Sequence, residues 1–470
     1  EQTATALVAA LTADRPIAEE AGLSPAVLEA AVTEVLAVED REFGGFGTAP
    51  KFPTTPVLAF LLEQGGNPAR ELGRRTLARM AASPLRDPIE GGFFRYAVHR
   101  DWSEPHYERM LADNAQLLAC YAAIGDEATS TGIAGFLLDV LRPSDESGSG
   151  GFASGQDSES EIDGVRVEGG YYALDAAARA TQPPPPLDGK VLTGLNGLAI
   201  GALADAGVRF DRDDWITAAR DAADAVLAIH GGFDTSASPT TQPKGAPLRR
   251  ASLDGRVSDA VATLEDYGGF AGGLLRLALA TGDSRYAVVA RDLVESCSDG
   301  RSVAAPSGGD PVLAARGLAL PPEVSDGASP SGRALLADAA LLLAALSGDD
   351  RHRRIAERAI APALPLAPGQ PLSFGAALAI AVRLGRAVGQ LVVVGPIDSA
   401  LAAVARRWGG STRVLALVTE EQAGAFAAVG FELFAGRVSR GGSDTAYLCE
   451  HFVCDLPLTD ATALADRLAV

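Results

Sequence analysis

The stretch from Gly91 to Leu118 gathers the side chains best suited to chemistry in this 470-residue chain: Arg95, Tyr96, Trp102, His106, Glu108, Asp113 and Asn114 follow a Gly-Gly-aromatic turn. An imidazole that titrates near neutrality, set among carboxylates, is a combination that general acid–base catalysis uses. Pro105 suits the first turn of a helix, where its missing N–H costs nothing, and Ser103 stands where a cap would. A helix starting there puts His106, Met110, Asp113 and Leu117 on one stripe. A histidine and a carboxylate on an otherwise apolar face are costly unless they are paired or used. The structural alternative is a satisfied hydrogen bond at a helix start.

The elements that must position this unit are helical. Ala- and Leu-rich segments with helical spacing run over 26–38, 56–62, 70–82, 114–123, 132–141, 195–206, 215–229, 271–281, 285–296, 331–346 and 374–384. The loops between them share a glycine pair followed by an aromatic: Gly44-Gly45-Phe46, Gly91-Gly92-Phe93, Gly150-Gly151-Phe152, Gly169-Gly170-Tyr171 and Gly231-Gly232-Phe233. Such pairs allow a tight turn or close backbone approach, and the aromatic can anchor the loop. Their separation, about a helical hairpin plus a loop, predicts a helical repeat. An open solenoid would keep a stricter period and would not need long polar loops such as 144–170, whereas long structured loops signal function. The expectation is a mainly α fold: an (α/α)6 barrel, or six-hairpin toroid, over residues 1–387 with its loops crowding one end. From 388 to 470 the pattern becomes a small C-terminal α/β domain of parallel flavour. Strand runs at 390–395, 413–419 and 446–449 alternate there with helical runs at 399–408 and 421–429. Val394-Gly395-Pro396 lacks the further glycines of a phosphate loop.

Composition excludes several classes of function. A formal net charge of −20 argues against nucleic acid or an anionic membrane as partner, since both need a basic footprint. Four cysteines in so long a chain give no secreted disulfide framework. Cys449 and Cys454, with no matching Cys/His pair nearby, read as two buried thiols rather than a zinc site. No uncharged apolar run reaches membrane-spanning length; 334–346 comes closest and is interrupted by Asp338. No cofactor or metal is implied, and the cytoplasm is the default location.

Seven motifs occur in a recognisable order: 40–53 (DREFGGFGTAPKFP), 91–118, 150–161, 188–198, 264–267, 326–332 (DGASPSG) and 446–457 (AYLCEHFVCDLP). Together they resemble the thioredoxin-domain-containing family that includes spermatogenesis-associated protein 20, over nearly all of residues 35–470. The helical part is similar to N-acylglucosamine 2-epimerase and to the six-hairpin glycosidase superfamily. Family members usually carry an N-terminal thioredoxin-like domain with a cysteine motif. No C-x-x-C and no strand-rich stretch precedes Glu39, so that domain is expected to be trimmed or lost, and a thioredoxin-like domain or protein becomes a candidate partner. Leu195 stands where the family usually has Trp, and Arg333 where it tends to have Asn.

The resemblance implies carbohydrate processing, with a small-molecule ligand, a sugar, at the loop-rich end. An epimerase or isomerase moves a proton beside a carbonyl, which His106 with Asp113, Asp157 or Glu265 would serve. A glycosidase needs two flanking carboxylates, for which Asp113, Asp157, Glu168, Glu265 and Asp266 are candidates. Ligand contacts are expected from Lys51, Phe52, Arg95, Tyr96, Trp102, Glu108, Asn114, Lys190, Asn196, Asp266 and Tyr267. Each has a structural alternative: Lys51 and Lys190 pairing with acids, Asp113-Asn114 bonding helix ends, and Glu265-Asp266-Tyr267 starting a helix at its positive end. The acidic loop around Asp157 can lie in solvent or hold a cation. The alternative function is a non-catalytic module that binds a ligand or a thioredoxin-like partner.

Overall fold

The computed structural model describes residues 24–64, 66–142, 150–231, 248–309, 315–316, 323–409 and 413–468. Among these, α1 (Pro25–Ala37), α2 (Thr55–Glu63), α3 (Asn67–Ala81), α4 (Leu111–Ile124), α5 (Glu127–Gly135), α6 (Thr193–Phe210) and α7 (Asp213–His230) form the first part of the helical region. It continues with α8 (Leu264–Thr281), α9 (Ser284–Ser296), α10 (Gly332–Ser347), α11 (Asp350–Ile360) and α12 (Gly375–Leu384). The even-numbered helices pack side by side in the order α2, α4, α6, α8, α10, α12 and back to α2, which closes a ring. Helices α3, α5, α7, α9 and α11 each lie on the helix before them, and α1 packs on the short turns ahead of α12. This is the (α/α)6 toroid that the hairpin spacing predicts.

Sequence type follows layer. Inner α4 is apolar on nearly every side and buried along most of its length, as a helix surrounded by others must be. Outer α11, DRHRRIAERAI, turns only His352, Ile355, Ala356, Ala359 and Ile360 inward. Its dense charge hid it among the apolar helical segments. Helices α6 and α8 approach until their backbones touch: a Cβ added at Gly197 would lie 2.3 Å from the Gly269 carbonyl oxygen. Only glycine permits that separation.

Five of the six inner helices contribute one charge each to a belt inside the ring. Glu63 of α2 meets Arg383 of α12 at 3.4 Å, and Arg383 meets Asp338 of α10 at 2.5 Å. Asp338 meets Arg276 of α8 at 2.8 Å, and Arg276 meets Asp205 of α6 at 3.1 Å. Signs alternate around the belt. Burial pushes the Asp338 carboxyl up, but Arg276 and Arg383 overcome it and hold the group well below the usual carboxylate range. The Asp338 that interrupts the apolar run at 334–346 is therefore a link in this belt.

Residues 105–110 are not helical. Two short antiparallel ribbons replace the expected helix: β1 (Tyr96–Ala97) pairs with β2 (Pro105–His106), and β3 (Arg109–Met110) pairs with β4 (Gly155–Gln156). The helix begins at Leu111, so His106 and Met110 do not share a stripe with Asp113 and Leu117. The Ser103 hydroxyl donates to Asp101 rather than capping. Pairing with neighbouring chain satisfies this backbone, and that overrides the local Pro and Ser signals. The polar loop expected at 144–170 also contains structure, although 143–149 lie outside the described residues. There β5 (Glu159–Ile162) and β6 (Val165–Glu168) form a hairpin around Asp163-Gly164, both with positive φ. Farther on, β7 (Leu187–Asp188) joins β4, and β8 (Val191–Leu192) pairs with β9 (Ala251–Leu253). Strand β10 (Arg256–Val257) closes a second hairpin at Asp254-Gly255. Asp-Gly between alternating residues is a strong short-range hairpin signal.

After α12 come β11 (Gly389–Val394), α13 (Ala400–Ala405), β12 (Arg413–Val418), α14 (Glu420–Ala428), β13 (Thr445–Glu450), β14 (Val453–Cys454) and α15 (Ala461–Leu468). The sheet order is β12-β11-β13-β14. Only β11 and β12 run parallel, so the sheet is mixed rather than of parallel flavour. Alternation along β11 splits its side chains: Val392 and Val394 join the core shared with the barrel, while Leu391 and Val393 pack with Leu401, Leu464 and Leu468. Cys449 and Cys454 are joined in a disulfide rather than standing as two buried thiols, because β13 and β14 place them directly opposite each other.

Candidate functional site

The N-terminal ends of the inner helices meet at one mouth of the ring, and most are sewn together there. Helices α2, α4, α6 and α12 have no capping side chain of their own. Their free N–H groups find acceptors nearby instead. Leu111 N donates to Ser154 O, Thr193 N to Arg250 O, Gly194 N to Asp266 Oδ1, and Ala376 N to Asp326 Oδ2. Asp326 also accepts from Ser331 N, so one carboxylate ties the starts of α10 and α12. Burial lifts its pKa to about 6 against those two donors. The loop from Asp326 then reaches across the mouth, where Gln116 of α4, on the far side of the ring from α10, donates to Ala328 O at 3.0 Å.

The Gly-Gly-aromatic turns prove to be one device used twice. Asn114, the fourth residue of α4, accepts from Phe93 N at 2.7 Å and donates to Phe93 O and Met110 O. Asn196, the fourth residue of α6, accepts from Phe152 N at 2.8 Å and donates to Phe152 O and Leu192 O. Both amides are buried and bonded within the fold, so they hold loops. At Gly92, φ is +74° and a Cβ would lie 2.7 Å from the Phe136 ring, which forbids any other residue. The equivalent turn at Gly231-Gly232-Phe233 lies outside the described residues after Gly231.

Several expected ligand contacts are committed to the scaffold in the same way. Lys51 is fully buried, and its ammonium donates to Asp40 Oδ2, Gly44 O and Arg100 O at 2.6, 2.7 and 2.8 Å. All three protons are used. Trp102 is buried beside it and donates to Phe43 O. Asp266 forms a capping box with Thr263 and pairs with Arg250, which also holds Glu265 at 3.1 Å. Tyr267 is buried, with its hydroxyl accepting from Leu248 N. Lys190 pairs with Asp188 at 3.0 Å on an exposed turn. Among the described residues no hydrogen bond or ion pair links Glu265 to His106.

A second group does come together. Phe52 lies against Tyr96 at 4.9 Å between centroids, and Tyr96 stacks on His106 at 4.9 Å and 19°. The imidazole stands between two carboxylates, Nε2 3.2 Å from Glu108 and Nδ1 3.1 Å from Glu168 of the β5–β6 hairpin. Arg95 donates to Glu108 at 2.8 Å. Asp113, third in α4, is 5 % exposed, and among the described residues its carboxyl has no hydrogen-bond partner. Burial raises its pKa to about 7, Glu108 adds to the rise, and Arg95 opposes it. Asp157 stands one residue beyond the Arg109–Gln156 pair, bonds its own turn at Glu159 N, and faces Arg166 at 4.0 Å. Among the described residues no three His, Cys, Asp or Glu side chains are arranged to hold a metal ion.

The neighbouring β3–β4 ribbon carries a buried ion network that sequence reading missed. Arg109, fully buried, pairs with Asp87 at 3.0 Å and Glu90 at 2.6 Å and donates to Gln156 and Gly91 O. Arg179 adds a second pair to Asp87 at 2.7 Å. Beside it, a cleft of about 470 Å³ is lined by Pro84, Arg86, Phe94, Pro105, Tyr107 and Tyr172 among others. Residues alternate along an extended strand, so these walls face away from His106 and Glu108.

No family model matches the chain. Over 164 residues it is 40% identical to human spermatogenesis-associated protein 20, a match covering 32% of this chain and 21% of that protein. The match thus spans about a fifth of the curated relative. Among solved structures, a cellobiose 2-epimerase from Spirochaeta thermophila is 16% identical, covering 76% of this chain and 83% of that one, with a TM-score of 0.48. A GH76 α-mannanase from Bacteroides thetaiotaomicron is 14% identical, covering 77% and 98%, with a TM-score of 0.49.

Proposed function

We propose that the mouth of the ring binds a neutral polyhydroxy ligand of the reducing-sugar class and moves a proton beside its carbonyl, as an epimerase or isomerase does. The observation that carries this reading is Asp113, a buried carboxyl whose pKa is raised to about 7 and on which Arg95 and Glu108 act, with His106 paired to the same Glu108. Half-exposed Phe52 and its neighbour Tyr96 offer apolar ring surface, and the polar groups around them offer hydrogen bonds. Apolar walls with a few placed polar groups suit such a ligand. In this scheme His106 and Asp113 exchange the proton, while Arg95 and Glu108 position the ligand oxygens. The alternative is a non-catalytic module that works with a thioredoxin-like domain. It is favoured by the Asp326–Ser331 loop crossing the mouth and by the structural use of Lys51, Trp102, Asn114 and Asn196. A cytoplasmic setting belongs to either reading; among the described residues no helix is long and apolar enough to cross a membrane.

The test is solvent exchange. Reducing hexoses and N-acylhexosamines are incubated with the protein in D2O and followed by proton NMR. Loss of the signal beside the carbonyl, abolished in His106→Gln and in Asp113→Asn, is the expected result. No exchange in any sugar, with no shift in melting temperature on adding sugar, removes the catalytic reading.

A further inference from the structure

The C-terminal hairpin carries a sulfur pair that the chemistry above does not use. Cys449 on β13 faces Cys454 on β14, and the two are disulfide-bonded. The two sulfurs differ in access: Cys449 is buried and Cys454 is half-buried. Arg437 places Nη2 3.0 Å from Cys454 Sγ and 3.7 Å from Cys449 Sγ. Its Nε is anchored on Leu433 O at 2.9 Å, and the guanidinium lies over Tyr447. Among the described residues no carboxylate pairs with Arg437. Glu432 acts on it only through space, and a half-buried cation with no carboxylate bonded to it is poorly compensated by two neutral sulfurs. It is well matched to a thiolate, the species formed when the bond opens. Beside Cys454, Val453 and Leu456 are 76% and 87% exposed, more than any other exposed large hydrophobic of the described chain.

We propose that Cys449–Cys454 is a thiol–disulfide exchange site, opened by a protein dithiol that docks on Val453 and Leu456. The partner's thiolate attacks Cys454 Sγ, the more accessible sulfur. The bond to Cys449 breaks, and Cys449 leaves as a thiolate facing Arg437. The partner's second thiolate then attacks its own sulfur in the mixed disulfide and releases Cys454. Two electrons and two protons pass from the partner dithiol, which ends as a disulfide, to Cys449 and Cys454, which end as thiols. The bond closes a turn in which His451 and Phe452 both have positive φ without being glycine. Phe452 N donates to Gln390 Oε1 at 2.9 Å, and its ring lies near Gly348 at the end of α10. Opening the bond therefore loosens the contact between the hairpin and the ring.

The experiment reduces the full chain with thioredoxin as the protein dithiol or dithiothreitol as the small one. Thiols are counted by maleimide mass shift under denaturing conditions. Two labelled cysteines before reduction and four after, with thioredoxin acting on the folded protein, are expected. Val453→Ser with Leu456→Ser should slow thioredoxin about tenfold and leave dithiothreitol unaffected. Arg437→Met should slow iodoacetamide labelling of the reduced protein about tenfold at neutral pH, with Arg437→Lys restoring most of it. Four free thiols that no oxidised dithiol can pair, or a bond that yields only after unfolding, overturns the proposal. Equal slowing of both reductants by the double variant removes the docking surface. Labelling unchanged by Arg437→Met in a folded protein removes the role of the cation.

Discussion

Asp113→Asn should make the protein more stable at alkaline pH, and the gain should grow with pH. The carboxyl ionises in the unfolded chain near its ordinary value of 3.8, and burial raises this to about 7 in the fold. Between those values the folded state holds a proton that the unfolded state has released. Stability contributed by this group is therefore present below 3.8, falls as pH rises through the window, and is fully lost above about 7. At 1.36 kcal/mol for each pH unit separating the two values, ionised Asp113 costs the fold about 4 kcal/mol. The amide cannot ionise and escapes that cost. It brings its own unmet hydrogen bonds, worth about 1–3 kcal/mol, but that penalty does not vary with pH. Urea unfolding of both proteins at pH 5, 6, 7 and 8 reads the difference. A gap that widens in favour of the variant and levels off above pH 7 is expected. Parallel stability curves would show that Asp113 ionises in the fold as it does in water, and the acid–base role would lose its basis.

Arg95→Met removes the cation that opposes this rise, so the pH at which Asp113 titrates, followed by carboxyl NMR shifts, should move upward. Arg276→Met leaves Asp205 and Asp338 facing each other across α8. It should lower unfolding stability by about 2 kcal/mol, between the values for exposed and buried pairs, with Arg276→Lys losing less. Asn114→Ala strips two bonds from Phe93 and one from Met110 O. At about 1 kcal/mol each it should cost about 3 kcal/mol in urea unfolding, and hydrogen exchange at Phe93 N should accelerate.

The ring was legible because its signals repeat. Six hairpins each carry an apolar inner helix, and a glycine pair with an aromatic marks the loops between them. What the motif encodes was not legible, because Asn114 and Asn196 act on backbone groups far away in sequence. The same limit explains Lys51: a rare lysine in a distinctive motif looks chemical until Asp40, Gly44 and Arg100 converge on it. At 105–110 local rules pointed the wrong way, since Pro105 and Ser103 suit a helix start but the chain pairs with 96–97 and 155–156 instead. The hairpins at 159–168 and 251–257 carry their own signal in Asp163-Gly164 and Asp254-Gly255, although the first lies in a stretch whose composition reads as polar loop. Of the candidate site, the sequence neighbours His106, Glu108 and Asp113 could be found together. Glu168 could be proposed as an acid but not placed on the imidazole, because a hairpin of unknown path brings it there.

The belt of alternating charges bears on how such a ring can change over evolution. Linear helical arrays gain and lose units freely, since each unit contacts only its neighbours. Here the sequence of signs around the circle runs Glu63, Arg383, Asp338, Arg276, Asp205, with α4 separating the two acidic ends. Duplicating a charged hairpin, or deleting one that has a charged neighbour on both sides, would set like charges side by side. The wiring thus resists a change in copy number inside the charged arc, and new capability enters more readily through the loops at the mouth.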